Sequence, residues 1–164
     1  MGRFADDAPE MVEPLCDLAR EETEHFRQVY AHLRSGTVSG NDEDADAPLP
    51  GLGKPEPDAY VNALRKAARA DGPTAPILLD RLIVSALIEA RSCERFKLLA
   101  DHLPNPELQT FYRGLMESEA RHFSLFRGLA EQRFGVDARR RLEKLAEREA
   151  AIAEQLPLGP TVHG

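Results

Sequence analysis

The sequence lacks the features that mark membrane and secreted proteins. No run approaches the roughly 18 apolar residues that a membrane-spanning helix needs, and the N-terminus, from Met1 to Asp7, has no apolar signal-peptide core. Only two cysteines occur, Cys16 and Cys93, and they lie far apart in the sequence, which argues against a disulfide framework and favours a reducing compartment. These absences predict a cytoplasmic protein with no membrane partner.

Strand-like alternation and internal repeats are also missing from the chain. Most of its 164 residues follow the helical period instead, and 42% of them are hydrophobic, which suffices for one packed core. The predicted fold class is therefore all-α, with a single domain over residues 1–164. Within that domain, the acidic and proline-rich stretch 36–57 predicts a flexible surface loop, and residues 157–164 predict an extended tail.

Acidic residues outnumber basic ones, with 28 Asp and Glu against 21 Lys and Arg, so the net charge is −7. This balance argues against a generic nucleic-acid binder, whose affinity comes largely from cations on phosphates. Two local basic clusters could nevertheless contact a structured RNA, namely Arg65, Lys66 and Arg69, and Arg139, Arg140, Arg141 and Lys144. Solvated helix faces would explain these clusters equally well.

Capping and helix-breaking residues divide the chain into five predicted helices. We expect Asp58 and Asp137 to cap the helices that follow them, and Gly135 to end the helix before Asp137. Proline and asparagine at 104–106 break the chain between the third and fourth helices. The predicted helices run from Pro9 to about Ser35, from Asp58 to Ala70, from about Thr74 to Leu103, from Pro106 to about Phe134, and from Asp137 to just before Pro157.

Residues that can bind a metal stand on helix faces that are otherwise apolar. Glu89 shares its helical phase with Leu, Ala and Phe residues of the third predicted helix, and Glu119 and His122 do the same in the fourth. Glu22 and His25 occupy the equivalent stripe of the first helix. Carboxylates are rarely buried unless they are paired or bound to a metal. The position of these glutamates on apolar helix faces therefore indicates a role other than packing.

The helical rise provides a check that does not depend on phase. If the third and fourth helices form an antiparallel hairpin, Glu89 and Glu119 both stand roughly 21–23 Å from the turn, at the same level of the bundle. Two Glu-x-x-His pairs and a further glutamate then suit iron or manganese. The alternative, that His25 and His122 are core histidines paired with neighbouring glutamates, stays open, although the five residues together favour a metal site.

Two segments resemble the MiaE-type tRNA hydroxylases. The more specific is the run from Leu82 to Phe96, LIVSALIEARSCERF, and the other is ESEARHF from Glu117 to Phe123. The segments 18–26 and 60–68 are similar to that family as well. The resemblance implies a ferritin-like helical bundle with a non-haem di-iron centre. It also implies the ligands: carboxylates from Glu22, Glu89 and Glu119, and imidazoles from His25 and His122.

The same resemblance implies an activity. Members of that family use two iron ions, dioxygen as co-substrate and electrons from a donor protein. They hydroxylate the isopentenyl side chain of 2-methylthio-isopentenyladenosine beside the anticodon of tRNA. We therefore expect a tRNA substrate and an electron-donor partner.

The pattern departs from that family at the N-terminus. A helix before the first Glu-x-x-His helix should supply a fourth carboxylate, but only Met1 to Ala8 precede Pro9. We therefore expect that the first core helix of the bundle is missing from this chain, and that a homo-oligomer could complete the site. Two other functions remain open: a ferritin-like oxidase or peroxidase that does not act on RNA, and an inactive helical binding module.

Overall fold

The computed structural model describes residues 6–34, 58–70 and 75–156, and all regular secondary structure in these ranges is helical, as predicted. The predicted loop at 36–57 and the predicted tail at 157–164 lie outside the described residues. Contacts group the chain into two units, Met1–Glu56 and Pro57–Gly164, and each is described by itself. The single domain expected from the sequence stays a prediction.

The first unit contains one long helix. A single 3-10 turn, Pro9–Met11, leads into α1, Val12–Arg34, so the predicted first helix is confirmed. Met11 is buried in the turn, whereas no residue of α1 itself is buried and Phe26 is 56% exposed.

The second unit contains four helices: α2, Ala59–Arg69; α3, Ile77–His102; α4, Pro106–Phe134; and α5, Val136–Gln155. Asp58 caps α2 as predicted, because its carboxylate accepts a hydrogen bond of 2.9 Å from the backbone N–H of Val61. The third predicted helix begins at Ile77, and residues 71–74 before it lie outside the described residues.

The connection between α3 and α4 forms a tight helical hairpin. The Asn105 side chain accepts hydrogen bonds from the backbone N–H groups of Glu107 and Leu108, at 2.8 and 3.3 Å, and Pro106 occupies the first turn of α4. The Gln109 side chain donates to the Leu103 carbonyl at 2.6 Å, across the turn. A connection this short makes α3 and α4 antiparallel neighbours, which is the geometry assumed in the sequence calculation.

The start of α5 differs from the prediction. Asp137 was expected to be the N-cap, but the helix begins at Val136 and the capping position belongs to Gly135, with φ 56° and ψ −124°. Because glycine can adopt this positive φ, the chain reverses between α4 and α5 without any further linker residue. Asp137 instead lies in the first turn of α5, where a carboxylate interacts favourably with the helix dipole.

A buried arginine joins three helices of the second unit. Arg141 of α5 donates from Nε to Oδ1 of Asp80 at 2.7 Å and from Nη2 to the Ala68 carbonyl at 2.6 Å. Arg148, two turns later, donates to the Ala67 carbonyl at 2.7 Å. These contacts hold the end of α2, the first turn of α3 and the first three turns and more of α5 together. The prediction that placed Arg141 in an RNA-contacting surface cluster was wrong for this residue, which is only 7% exposed.

Candidate metal centre

The α3–α4 hairpin brings three of the predicted site residues together. Glu89 lies on α3, and Glu119 and His122 lie one turn apart on α4. Each offers one oxygen or nitrogen atom, and these three atoms lie within 4.8 Å of one another. The shared level of Glu89 and Glu119, calculated above from the helical rise, is thus found in the structure.

This cluster lies inside the hairpin rather than on its surface. Glu119 is 6% exposed and His122 is 3% exposed, and both belong to a buried stripe of α4 that includes Leu115 and Phe126. Nδ1 of His122 lies 3.8 Å from Oε2 of Glu89, whose side chain is 14% exposed. Two carboxylates this close in a poorly hydrated place repel each other, and a cation between them would offset that cost.

The chemistry of the donor atoms fits iron. Carboxylate oxygens and an imidazole nitrogen are ligands that suit non-haem iron. Cys93 is a further side chain nearby, but burial, together with the charges of Glu119 and Glu94, raises the pKa of its thiol. The three clustered residues themselves offer oxygen and nitrogen donors.

The other predicted pair, Glu22 and His25, lies on α1 in the first unit. Nδ1 of His25 is 3.5 Å from Oε1 of Glu22, and the two side chains are 18% and 45% exposed, respectively. Their spacing of three residues places them on one face of the helix, as expected. Their role as metal ligands stays a prediction.

A polar network that sequence analysis missed supports α3 on the side opposite Glu89. Oε1 of Glu149, on α5, accepts hydrogen bonds from Nε and Nη2 of Arg91 at 2.9 and 2.5 Å. The Tyr60 hydroxyl, from α2, lies 3.0 Å from the same oxygen and 3.4 Å from the Leu87 carbonyl. Because residues two apart on a helix point about 200° apart, Arg91 faces α2 and α5 while Glu89 faces α4.

The protonation states of this network are fixed by its surroundings. Burial alone would lower the pKa of Arg91, but the hydrogen bonds and charge of Glu149, with Glu94, raise it overall. Burial, followed by the charge of Glu149, raises the pKa of Tyr60. A cationic arginine and a neutral phenol therefore meet at Oε1 of Glu149. Arg91 and Tyr60 lie within the family-like segments 82–96 and 60–68, whereas Glu149 lies outside all such segments.

Comparison with known proteins decides the family. The family model described as tRNA-(MS[2]IO[6]A)-hydroxylase (MiaE) matches residues 1–164. The chain belongs to the MiaE family. Membership confirms the resemblance drawn from the segments 82–96 and 117–123.

Two curated members of the MiaE family are similar to most of the chain. Both are named tRNA 2-(methylsulfanyl)-N(6)-isopentenyladenosine(37) hydroxylase. The one from Pseudomonas putida is 38% identical over 129 residues, covering 79% of this chain and 55% of that protein. The one from Salmonella typhimurium is 35% identical over 143 residues, covering 87% and 47% respectively. The chain thus spans about half the length of the curated relatives it matches.

A solved structure shares the fold of this MiaE-family chain. It is described as protein 43 with aldehyde deformylating oxygenase activity from Synechococcus. The two are 39% identical with a TM-score of 0.69, and the match covers 92% of this chain and 70% of that one. The likeness confirms the all-α, ferritin-like fold class predicted from the sequence. No helix in the described ranges is long and apolar enough to cross a membrane.

Proposed function

We propose that this chain acts as a tRNA hydroxylase on the isopentenyl side chain of 2-methylthio-isopentenyladenosine, next to the anticodon. The observation that carries the proposal is the cluster of Glu89, Glu119 and His122, two of them buried, in a chain of the MiaE family. In the overall reaction one atom of dioxygen enters a C–H bond as a hydroxyl. The other leaves as water, with two electrons from an external donor protein and two protons.

Two iron ions are the cofactor that we propose for this reaction. Glu89, Glu119 and His122 would hold iron from the second unit, and Glu22 and His25 would add ligands from α1. The repeated Glu-x-x-His spacing on α1 and α4 supports this assignment, because it lets a carboxylate and an imidazole approach from one face of each helix. When bound, iron would supply the activation of dioxygen that an unassisted side chain cannot provide.

The protein's own part is to fix the ligands and keep the site dry. Glu119 and His122 are held on a buried stripe, so their rotamers are restricted and bulk water is excluded. Arg91, Glu149 and Tyr60 hold α3 from behind, which keeps Glu89 turned towards α4. This preorganisation favours metal binding in one geometry over a mobile set of surface carboxylates.

A second candidate is an oxygenase that acts on a small molecule without RNA. It is favoured by the shared fold with the Synechococcus protein, whose description names an activity on aldehydes. The two candidates differ in whether turnover requires tRNA. An inactive helical binding module is the third, and it predicts that the protein binds no iron.

The test uses purified protein loaded anaerobically with ferrous iron. Iron content is measured after desalting, and tRNA carrying the prenylated nucleoside is then incubated with protein, dioxygen and a chemical reductant. We expect about two irons per site and conversion of the nucleoside to its hydroxylated form, read by mass spectrometry of the digested tRNA. Absence of both iron and product would overturn the proposal, and product formation from aldehydes alone would select the second candidate.

Matched variants make this test specific to the cluster. Glu119→Gln and His122→Ala should lose iron and product together. Glu117→Gln and His102→Ala change the same residue types at exposed positions of α4 and α3, and should keep both. Equal iron content in Glu119→Gln and Glu117→Gln would show that the metal lies elsewhere.

A further inference from the structure

Five cations at one end of the second unit are exposed and have no partner among the described residues. Their side chains form no hydrogen bond, ion pair or ring contact with any other described residue. Several exposed cations elsewhere are paired with carboxylates, for example Arg20 with Asp17 at 2.7 Å and Lys97 with Asp101 at 2.7 Å. The five, referred to below as the basic end, are Arg65, Lys66, Arg69, Arg139 and Arg140.

Buried Arg141 brings the two halves of the basic end to the same place. Arg69 directly follows Ala68, whose carbonyl accepts the 2.6 Å hydrogen bond from Arg141, and Arg139 and Arg140 directly precede Arg141. The end of α2 and the start of α5 are therefore held side by side. Cations that are 70 or more positions apart in the chain share one surface through this contact.

Nearby hydrogen-bond acceptors are already bonded to two other arginines. Arg141 occupies Asp80 and the Ala68 carbonyl, and Arg148 occupies the Ala67 carbonyl. The exposed carboxylates on the same stretch of α5 are Asp137 and Glu143, two against five cations. A surplus of positive charge thus faces solvent in a chain whose net charge is −7.

We infer that the basic end binds the phosphate backbone of the tRNA substrate, an inference that rests on the proposed function. Four of its five cations are arginines, whose planar guanidinium groups match phosphate in a bidentate manner. Because the rest of the chain carries a net negative charge, attraction of RNA to this surface favours one orientation.

The basic end and the candidate metal centre are close enough for one RNA stem-loop to contact both. Asp80, which Arg141 binds, precedes Glu89 by nine residues on α3, about 14 Å along the helix axis. An anticodon arm whose backbone lies on the basic end can therefore extend one nucleoside to the carboxylates. An acidic protein is the other class of partner that such a surface could attract, and the test below separates it from RNA.

The experiment measures binding of unmodified tRNA transcript to the full chain by fluorescence anisotropy, between about 50 and 200 mM salt. Two double variants divide the surface: Arg65→Ala with Arg69→Ala, and Arg139→Ala with Arg140→Ala. Each should weaken binding about tenfold at low salt and make the slope of log affinity against log salt shallower by about 1–2. Thermal unfolding and iron content should match those of the unchanged chain.

The matched control removes two exposed cations at the other end of the hairpin. This control is the double variant Lys97→Ala with Arg113→Ala, and Lys97 lies about 26 Å from Asp80 along α3. The affinity for tRNA and the slope of its salt dependence should stay unchanged. If the control weakens binding as much as the basic-end variants, or if those variants bind normally, the inference is wrong and the proposed hydroxylase is untouched. A chain that binds tRNA through the basic end but yields no hydroxylated nucleoside would instead overturn the proposed function alone.

A competitor distinguishes RNA from an acidic protein. Polyglutamate at equal charge should displace tRNA poorly, because it lacks the bidentate phosphate geometry. Displacement at the same charge concentration as unlabelled tRNA would overturn phosphate recognition at this surface.

Discussion

Nδ1 of His122 lies 3.8 Å from Oε2 of Glu89, across the interface between α3 and α4. The two residues meet because the short turn at 103–105 fixes how far each helix runs from the bend. A shift of one residue in either helix would rotate its side chain by about 100° and move it out of the interface. The register of one hairpin thus decides whether a histidine and two glutamates form a cluster at all.

The cluster should destabilise the metal-free protein. In Glu119→Gln a neutral amide replaces the buried member of two neighbouring carboxylates, so we expect the metal-free variant to be more stable by about 1 kcal/mol. Ferrous iron at about one hundred times its dissociation constant should stabilise the unchanged chain by about 2.7 kcal/mol and the variant much less. Urea unfolding with chelator or with iron measures both effects.

Glu117→Gln is the control for this effect, since Glu117 is exposed on the same helix. It should leave both stabilities unchanged within about 0.5 kcal/mol. A metal-free Glu119→Gln that is less stable than the unchanged chain, yet still stabilised by iron, would contradict the prediction.

Arg141 should matter for folding rather than for RNA binding. In Arg141→Ala, Asp80 and the Ala68 carbonyl lose their partner in a largely buried place, so we expect a loss of about 3–5 kcal/mol in the free energy of unfolding. The neighbouring Arg140→Ala removes an exposed cation and should change this quantity by less than about 0.5 kcal/mol. Chemical denaturation of both variants checks the contrast, and equal stabilities would show that Arg141 does not join the helices.

Tyr60 should make the protein sensitive to alkali. Burial raises its pKa in the folded state, so the unfolded chain releases this proton first as pH rises. The stabilisation is fully present below the ordinary tyrosine pKa of 10.0 and is lost as pH rises above it. In that range, titration of Tyr60 should lower the free energy of unfolding by up to about 1.4 kcal/mol for each pH unit.

Tyr60→Phe checks the sign of this effect. The variant should be less stable than the unchanged chain by about 1 kcal/mol near neutral pH, because hydrogen bonds are lost. Above pH 10.0 the difference should shrink, since phenylalanine has no proton to lose. Tyr30→Phe removes a hydroxyl from a ring that is 39% exposed, and its stability near neutral pH should lie within about 0.5 kcal/mol of the unchanged chain. A constant gap between Tyr60→Phe and the unchanged chain would refute this account.

Gly135 and Gly128 should respond in opposite ways to alanine. Gly135 has φ 56°, which an L side chain rarely adopts, so Gly135→Ala should cost about 1–2 kcal/mol. Gly128 lies within α4 with no atom within 4 Å of an added Cβ, so Gly128→Ala should stabilise the helix by about 0.5–1 kcal/mol. Thermal unfolding of the pair tests this, and effects of the same sign would be inconsistent with the turn conformation.

The sequence by itself determined the helices and the phase of the candidate ligands. Helical period, the cap at Asp58 and the helix-breaking prolines are local signals, so the bounds of α2, α3 and α4 could be predicted closely. The hairpin calculation also succeeded, because a turn of three residues leaves little freedom in how α3 and α4 align. The start of α5 was predicted wrongly. Asp137 is a residue type that often caps helices, but Gly135 has the backbone freedom that this turn requires and takes the capping position.

Only the tertiary structure decided which charged residues are buried and what they contact. Arg139, Arg140 and Arg141 are alike in sequence, but only Arg141 is buried, because α5 rotates that position towards Asp80 and the end of α2. The network of Tyr60, Arg91 and Glu149 likewise joins residues from three helices. Pairings between distant segments depend on how the helices pack, and a local pattern of residues carries no information about that packing.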